Sequence, residues 1–136
     1  MSGLFLLDTN VLTELARHPF GQCSHRMTAV GSESVFTSVI VAGEVQFGID
    51  RFRAFRLLRQ MERVLETIEI RPLQFEVVAC YSQLRIDLET RGLPIGANDM
   101  WIAAHALAEN AVLVTNNIRE FSRINGLKVE NWMQTA

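Results

Sequence analysis

Four acidic side chains follow apolar segments in a pattern that could assemble a metal-dependent site. Asp8 directly follows the apolar run Leu4–Leu7, Asp99 stands at the expected start of a helix, and Glu120 comes shortly after a second apolar run. Glu44 lies in a segment of mixed pattern and joins the other acids if that segment is helical. Gathered carboxylates bind hard divalent cations, which in turn promote hydrolysis of phosphodiesters.

Such a cluster of acids needs a compensating positive charge. Two carboxylates about 4 Å apart repel by roughly 4 kcal/mol at an effective dielectric near 20. Three or four together would consume much of the roughly 5–15 kcal/mol that keeps a domain folded. No lysine or arginine lies within the strand-exit motifs themselves. A divalent cation would neutralise these acids, and the sequence therefore predicts a metal site.

The histidines are poor candidates for metal ligands. His105 lies six residues after Asp99, about 240° around a helix, so its ring points away from that acid. His18 and His25 fall outside the acidic motifs, in stretches expected to be loops. A site with oxygen ligands and no histidine selects a hard ion, so we expect Mg²⁺ or Mn²⁺.

Apolar patterning predicts alternating strands and helices along the chain. The run Leu4–Leu7 is continuous and apolar, which is typical of a central strand buried on both faces. Further strands are expected over 35–37, 68–70 and 111–115, with a short closing segment through Val129 and Trp132. Helices are expected over 11–17, 51–66, 74–90 with Gly92 as its cap, and 99–109 with Asn98 as its cap. The alternation predicts a single α/β domain over residues 1–136, with a parallel doubly wound sheet and helices on both faces.

One stretch, residues 38–48, is ambiguous from its pattern. Val39, Ile40 and Val41 are three β-branched residues in a row, which favours continuing the preceding strand. Ser38 as a helix cap, followed by apolar residues at helical spacing, favours a helix. The pattern leaves both alternatives open.

Composition and charge exclude several classes of protein. The chain has 136 residues, 49% hydrophobic and 21% charged, as in an ordinary globular protein. Without an apolar run of about 18 residues or a basic N-terminal stretch, we expect no membrane span and no signal peptide, and hence a cytoplasmic protein. Cys23 and Cys80 are far apart, and we expect both to be reduced. A net charge of −2 argues against a uniformly basic nucleic-acid binder.

Four ordered motifs, together with the C-terminal residues, resemble those of a known family. They are Asp8-Thr9-Asn10 after a strand, Glu44 in AGEVQFG, RGLPIGAND ending at Asp99 and followed by IAA, and VTNN followed by Glu120 and Phe121. The C-terminal Gly126-Leu127 and Glu130-Asn131-Trp132 fit the same pattern. The set is similar to the successive motifs of PIN-domain ribonucleases, and in particular to VapC-type toxins of bacterial toxin-antitoxin pairs. The similarity covers nearly the whole chain.

The resemblance implies a Mg²⁺-dependent endoribonuclease that is inhibited by a cognate antitoxin. It implies cleavage that leaves a 5′-phosphate and a 3′-hydroxyl, with a tRNA anticodon loop, and initiator tRNA in particular, as the expected target. It also implies a homodimer, an antitoxin tail that places a basic side chain in the acidic pocket, and a helix over residues 38–48.

Roles carry over to this chain position by position. The resemblance makes Asp8 and Asp99 direct metal ligands, and Glu44 either completes the ligand set or holds a bound water. Asn117 stands where many relatives have aspartate, so either Glu120 takes over that position or the site works with three acids. Polar residues expected to orient the ligands and water are Thr9, Asn10, Asn98, Thr115, Asn116 and Asn117.

A row of arginines allows two interpretations. Arg51, Arg53, Arg56 and Arg59 lie on the helix expected over 51–66. They form either a solvated helix face or a surface that contacts RNA phosphates or the antitoxin. Phe52 and Phe55 on the same stretch are expected in the core, or in a dimer or antitoxin groove.

An alternative function from another class is a Mg²⁺-binding signalling domain of the phospho-receiver type. Such a domain also keeps acids at strand ends, and Asp8 would be its phosphorylated residue. Its chemistry requires a lysine after a late strand to hold the phosphoryl group. Lys128 is the chain's only lysine and is poorly placed for that role.

Overall fold

A parallel sheet organises the part of the chain that the computed structural model describes, residues 3–133. Its strands are β1 (Leu4–Leu7), β2 (Val35–Ser38), β3 (Glu69–Arg71), β4 (Ala111–Val114) and β5 (Val129–Glu130). Among these residues the sheet has five strands in the order β3-β2-β1-β4-β5, and every pairing is parallel. The chain leaves β1 towards one edge and later returns to its other side at β4. The topological switch point therefore lies at the carboxyl ends of β1 and β4, which is where open α/β sheets place their sites.

Helices cover both faces of this sheet. They are α1 (Thr9–Arg17), α2 (Gln22–Val30), α3 (Val39–Phe52), α4 (Phe55–Glu66), α5 (Glu76–Arg91), α6 (Ala97–Ala108) and α7 (Ile118–Phe121). The neighbours Leu6 and Leu7 point to opposite faces of β1, and both are fully buried. Both faces of the central strand are thus packed, which confirms the predicted α/β class with a doubly wound parallel sheet.

The ambiguous stretch is a helix. β2 ends at Ser38, whose hydroxyl accepts a hydrogen bond of 3.1 Å from the Ile40 N–H and caps α3. A capped first turn therefore prevails over the β preference of the three branched residues, because the cap satisfies an N–H that has no partner within the helix. The helix continues to Phe52, four residues beyond the expected end at Gly48.

The single helix expected over 51–66 is wrong. Arg53 adopts a left-handed conformation with φ of 51° and ends α3, and α4 begins two residues later. The Arg53 N–H donates to the Ile49 carbonyl at 2.8 Å, which closes the last turn of α3. Phe52 and Phe55 are 72% and 62% exposed, so the expectation that they lie in the core is wrong as well. Phe52 ends α3 and Phe55 begins α4, on either side of the break, whereas Met61 farther along α4 is buried.

Asn98 is not the cap of α6. The helix begins two residues earlier than expected, at Ala97, with Gly96 at the cap position. Asn98 lies in the first turn, and its side-chain amide donates to Glu44 at 3.2 Å. The cap predicted for the preceding helix is confirmed, because Gly92 ends α5 in the left-handed conformation with φ of 68°.

The remaining structural expectations concern the cysteines and the membrane. Cys23 is buried and Cys80 is partly buried, and both are free thiols in the described chain. Of the helices within residues 3–133, none is both long enough and apolar enough to cross a bilayer. Trp132 of the closing segment is fully buried and its ring packs 5.3 Å from that of Phe5.

Candidate active site

Asp8 is held at the switch point by groups from both central strands. Its side chain is 5% exposed and caps α1, accepting from the Thr9 N–H at 2.8 Å. The Thr115 hydroxyl donates to Asp8 Oδ2 at 2.8 Å, and the Asn10 amide reaches the same oxygen at 3.2 Å. The Asp8 N–H bonds to the Val114 carbonyl at 3.0 Å. The end of β4 therefore fixes a carboxylate that follows β1.

Glu44 connects three helices at the same edge. The Thr9 hydroxyl, at the start of α1, donates to Glu44 Oε1 at 2.7 Å. The Asn98 amide, in the first turn of α6, donates to Glu44 Oε2 at 3.2 Å. Asp99 is the next residue of that turn. Residues 35 to 107 positions apart in sequence thus meet in one bonded group.

These side chains line an open cleft of about 440 Å³. Its lining consists of Asp8, Thr9, Asn10, Glu44, Asp99 and Asn117. Burial, followed by the charges of Asp8, Glu44 and Glu120, raises the pKa of Asp99 from 3.8 to about 6. Burial also raises the pKa of Asp8, with a smaller contribution from Glu44, although the hydrogen bonds to its carboxylate oppose the rise. The acids predicted from the sequence therefore come close enough to disturb one another's ionisation.

At the fourth acidic position the cleft presents an amide. Asn117 lines the cleft, and its Nδ2 donates to Glu120 Oε2 at 2.8 Å. Two backbone N–H groups complete this corner: that of Asn117 donates to Thr115 Oγ1, and that of Asn116 donates to Asn10 Oδ1, each at 3.0 Å. Glu120 acts on the cleft through its charge on Asp99 and by orienting Asn117, and it does not line the cleft itself.

The residues present suit a hard divalent cation. The charged groups lining the cleft are the carboxylates of Asp8, Glu44 and Asp99, with hydroxyl and amide groups beside them. Within residues 3–133 no three acids, histidines or cysteines stand close enough to enclose an ion by themselves. Mg²⁺ characteristically binds through one or two carboxylates and keeps several waters. An open cleft therefore suits Mg²⁺ better than a closed set of protein ligands would. His105 is fully buried, bonds to Ser38, and does not line the cleft.

The predicted arginines lie beside the cleft and not in it. Arg51, Arg53, Arg56 and Arg59 are exposed around the junction of α3 and α4. None of the four forms an ion pair in the described part of the chain. A second, mostly apolar cleft of about 200 Å³ includes Thr9, Glu44 and Phe52 in its lining, and so connects this junction to the acidic cleft.

Two other arginines, Arg91 and Arg123, join the segments that lead to Asp99 and away from Glu120. Arg123, just after α7, donates from Nη1 to the Pro94 carbonyl at 3.0 Å. The Arg91 guanidinium in turn donates to the Arg123 carbonyl. The pair ties the loop that leads to Asp99 to the segment that follows Glu120. Such contacts depend on two loops meeting in space. Arg91 is the first residue of the RGLPIGAND motif, but the motif does not reveal this contact, and Arg123 lies outside the motifs.

A scan against protein-family models matches residues 5–127 to the PIN domain. The chain belongs to the PIN-domain family. Within that family it is a VapC-type ribonuclease, because a Rickettsia felis protein named Ribonuclease VapC2 is 37% identical over 95% of this chain and 98% of its own. A Salmonella typhimurium relative named tRNA(fMet)-specific endonuclease VapC is 30% identical over 94% of this chain and 97% of its own.

Solved structures of PIN proteins have the same architecture. The VapBC2 complex of Rickettsia felis, bound to a promoter DNA fragment, matches with a TM-score of 0.87 and 34% identity over 95% of this chain and 98% of that one. The DNA-bound VapBC of Salmonella typhimurium matches with a TM-score of 0.86 and 29% identity over 96% of this chain and 98% of that one. The predicted fold and family are confirmed.

The phospho-receiver alternative is not favoured. Family membership points to a ribonuclease. Lys128 precedes β5, and its carbonyl accepts from the Leu113 N–H within β4, whereas Asp8 and Thr115 follow the carboxyl ends of their strands. Val129 pairs with Leu113, so Lys128 is level with the middle of β4 and short of the carboxyl ends that Asp8 and Thr115 follow. Lys128 is therefore not placed to hold a phosphoryl group on Asp8.

Proposed function

We propose that this PIN protein is a Mg²⁺- or Mn²⁺-dependent endoribonuclease toxin that a cognate antitoxin neutralises. The observation that carries the proposal is the meeting of Asp8, Glu44 and Asp99, from three separate elements, in one cleft at the switch point. The raised pKa of Asp99 supports it, because an acid that repels its neighbours gains from a bound cation.

In the proposed mechanism, Asp8 and Asp99 would hold the cation, and Glu44 would complete the ligand set or hold a water. The chemistry that Mg²⁺ would supply, when bound, is a lowered pKa for a water and stabilisation of negative charge on the phosphate. Thr115 and Asn10 fix the orientation of Asp8, and Thr9 and Asn98 fix that of Glu44. Asn116 and Asn117 shape the wall of the cleft. The expected products carry a 5′-phosphate and a 3′-hydroxyl.

The proposed substrate is the anticodon loop of initiator tRNA. The Salmonella typhimurium relative is named as a tRNA(fMet)-specific endonuclease, and the open cleft suits an unpaired, accessible strand. We assign RNA-backbone contact to the four exposed arginines of the α3–α4 junction. Arg51 follows Glu44 by seven residues on α3, so it lies about 10 Å farther along the axis and on nearly the same side of the helix. It is therefore suited to bind a phosphate near the cleavage point.

The proposed inhibitor is an antitoxin whose tail inserts a basic side chain into the cleft. Solved relatives are VapBC complexes, and a cleft lined by three carboxylates attracts a guanidinium or ammonium group. Such a group would compete with the cation for the same oxygens. We also propose a homodimer, since exposed side chains such as Phe47 (65%) and Phe75 (84%) suit burial against another chain. Light scattering on the isolated toxin tests the dimer.

The central experiment measures cleavage of initiator tRNA by Asp8→Asn and Asp99→Asn. Each variant should lose at least about 100-fold in rate, because removing a ligand charge weakens both cation binding and charge stabilisation. Asp50→Asn is the matched control: Asp50 is exposed, its side chain bonds to Gln46, and it does not line the cleft. Circular dichroism should show intact folds in all three. Full activity in either site variant would refute the proposal, as would cleavage that persists in excess EDTA.

A second measurement addresses the substrate. Initiator and elongator methionine tRNAs are incubated with the enzyme and Mg²⁺, and the cleaved ends are mapped. Cleavage confined to the initiator anticodon loop is the expected result. Equal cleavage of both tRNAs would contradict the assigned target and leave the nuclease assignment in place.

A further inference from the structure

A buried histidine outside the cleft joins two of the helices that carry site acids. His105 of α6 is fully buried, and its Nδ1 lies 2.9 Å from Ser38 Oγ at the start of α3. Its other ring nitrogen, Nε2, is buried and has no hydrogen-bond partner within residues 3–133. Glu109 Oε2 lies 3.7 Å from that nitrogen, which is an electrostatic contact. The imidazole lies outside the lining of the acidic cleft.

The neighbouring groups determine which nitrogen carries the proton. Ser38 Oγ already accepts the Ile40 N–H at 3.1 Å, and a hydroxyl has one proton to donate. The described chain offers His105 Nδ1 as the acceptor for that proton. The ring is then the neutral tautomer with its proton on Nε2, directed towards the Glu109 carboxylate. The opposite tautomer would leave the serine proton without an acceptor and would face a lone pair towards a carboxylate.

The surroundings keep the imidazole neutral. Burial lowers the pKa of His105, and the positive charge of Arg71 adds to the lowering, while Glu109 opposes both. Arg71 Nη1 donates to Glu109 Oε1 at 2.8 Å, and its guanidinium stacks 4.5 Å above the Phe36 ring. The Phe36 and His105 rings pack edge to face, with their centroids 5.6 Å apart, so Phe36 also shields the imidazole from solvent. A neutral ring leaves Nδ1 free to accept from Ser38.

Within residues 3–133, the Ser38–His105 bond is one of two side-chain hydrogen bonds that join α6 to α3 or to its cap residue. The other is the bond from Asn98 to Glu44, at the mouth of the cleft. The two contacts are six residues apart on α3 and seven apart on α6, which are nearly equal distances of about 9 and 10 Å. Two contacts at matched spacing fix both the separation and the relative direction of two helices, whereas one contact would leave a pivot.

We propose that His105 is a positioning residue of the nuclease site. Its Nδ1 accepts a hydrogen bond from the Ser38 hydroxyl, and this bond holds Glu44 at its working distance from Asp99. The inference rests on the proposed function. Glu44 and Asp99 repel each other, and Glu44 is among the charges that raise the pKa of Asp99. The contact at the cleft, from Asn98, is solvent-exposed, so the buried contact is the one that water does not compete for.

Isosteric substitutions at this position separate the hydrogen bond from packing. In His105→Asn the amide oxygen is as many bonds from Cα as Nδ1 is, so it can accept from Ser38. In His105→Gln the amide is one bond farther from Cα, at the position of Nε2, so it cannot accept the hydrogen bond from Ser38. Both variants lose the ring, and the Asn variant, one methylene shorter, loses more packing, so a role in packing alone would make His105→Asn the worse of the two. We expect His105→Gln to lower kcat about tenfold or more with little change in KM, and His105→Asn to stay within about threefold of wild type.

A second readout does not depend on RNA cleavage. Binding of Mn²⁺ to the free protein, followed by the EPR signal of unbound Mn²⁺, should weaken about tenfold in His105→Gln and little in His105→Asn. If substitutions at His105 prevent folding, Ser38→Ala removes the same bond from its other side, together with the cap on the Ile40 N–H. Unchanged kcat in Ser38→Ala therefore overturns the positioning role, and Ser38→Thr is the control that keeps the hydroxyl. Ser38→Ala should reproduce the loss in kcat.

The outcomes distinguish this inference from the proposed function. Equal losses in the Asn and Gln variants, or a larger loss in the Asn variant, would overturn the positioning role and assign the residue to packing alone. Wild-type kcat and Mn²⁺ binding in His105→Gln, or in Ser38→Ala, would overturn it as well. If Asp8→Asn still cleaves RNA, the proposed function fails first, whatever the His105 variants do.

Discussion

Replacing Asp99 by asparagine should make the metal-free protein more stable while it abolishes cleavage. Asp99 has its pKa raised from 3.8 to about 6 by burial and by the charges of Asp8, Glu44 and Glu120. A residue retained for stability would lose stability on substitution. If Asp99 serves to bind a cation, its charge lowers the free energy of unfolding when the cation is absent. Asparagine, which is neutral and of the same shape, removes that destabilisation.

The size of the effect follows from the pKa. A displacement from 3.8 to about 6 corresponds to about 3 kcal/mol at 1.36 kcal/mol per pH unit. Asp99 is partly exposed, and solvent screens the repulsion, so the expected gain is about 1–2 kcal/mol. For a chain of this size that raises the Tm by roughly 4–8 °C.

The sign of the pH dependence follows from linkage. The folded protein binds the Asp99 proton more tightly than the unfolded chain does. The stability of the wild type is therefore not reduced by Asp99 below pH 3.8, and it falls as the pH rises through about 6. The wild type and Asp99→Asn should therefore have similar stabilities near pH 4 and differ fully above pH 7.

Thermal unfolding in EDTA between pH 4 and pH 8 measures the difference. Asp50→Asn, a neutralised exposed aspartate, should stay within about 0.5 kcal/mol of wild type at each pH. Adding Mg²⁺ should raise the Tm of the wild type and leave that of Asp99→Asn nearly unchanged. A destabilised Asp99→Asn at pH 8, or a difference that does not vary with pH, would refute the reasoning.

Three further predictions concern the walls of the cleft and the arginine surface. Thr115→Val removes the 2.8 Å bond to Asp8, so stability should fall by about 1–3 kcal/mol in chemical denaturation and the acid limb of the kcat/KM profile should move to higher pH. Arg51→Gln should weaken RNA binding and reduce the salt slope of log K by about 0.7, whereas Arg85→Gln, on a residue paired within α5, should leave the slope unchanged. Asn117→Asp adds a fourth carboxylate to the cleft, so it should tighten Mn²⁺ binding in calorimetry and lower the metal-free stability at pH 8 by roughly 1–2 kcal/mol. Unchanged Mn²⁺ binding would contradict a cation site at this cleft.

Local sequence was enough to predict the sheet and the edge at which the site lies. A four-residue apolar run that ends in Asp8 has one stable placement, a buried strand with a carboxylate just beyond it. The same logic predicted β4, which ends one residue earlier than expected, at Val114; the place of Thr115 beside Asp8 was implied by the family resemblance. These features depend on burial and strand direction, which are encoded residue by residue along the chain.

Other features were mispredicted because they depend on elements that meet only in the fold. The helix pattern across 51–66 has no proline or glycine to reveal the break at Arg53. Asn98 has the residue type of a cap, but its amide bonds to a glutamate 54 positions earlier in the chain. The exposure of Phe52 and Phe55 follows from that same break.

The sequence by itself determined the fold class, the family and the residue types available at the site, because apolar periodicity and ordered motifs are local properties. Tertiary structure decided how those residues act on one another. It placed Asn117 on the cleft wall with Glu120 behind it, and it turned His105 towards Ser38. It also brought Asp8, Glu44 and Asp99 close enough to raise a pKa. Electrostatic coupling depends on distance through space, and residues 35 to 107 positions apart acquire that distance only when the chain folds.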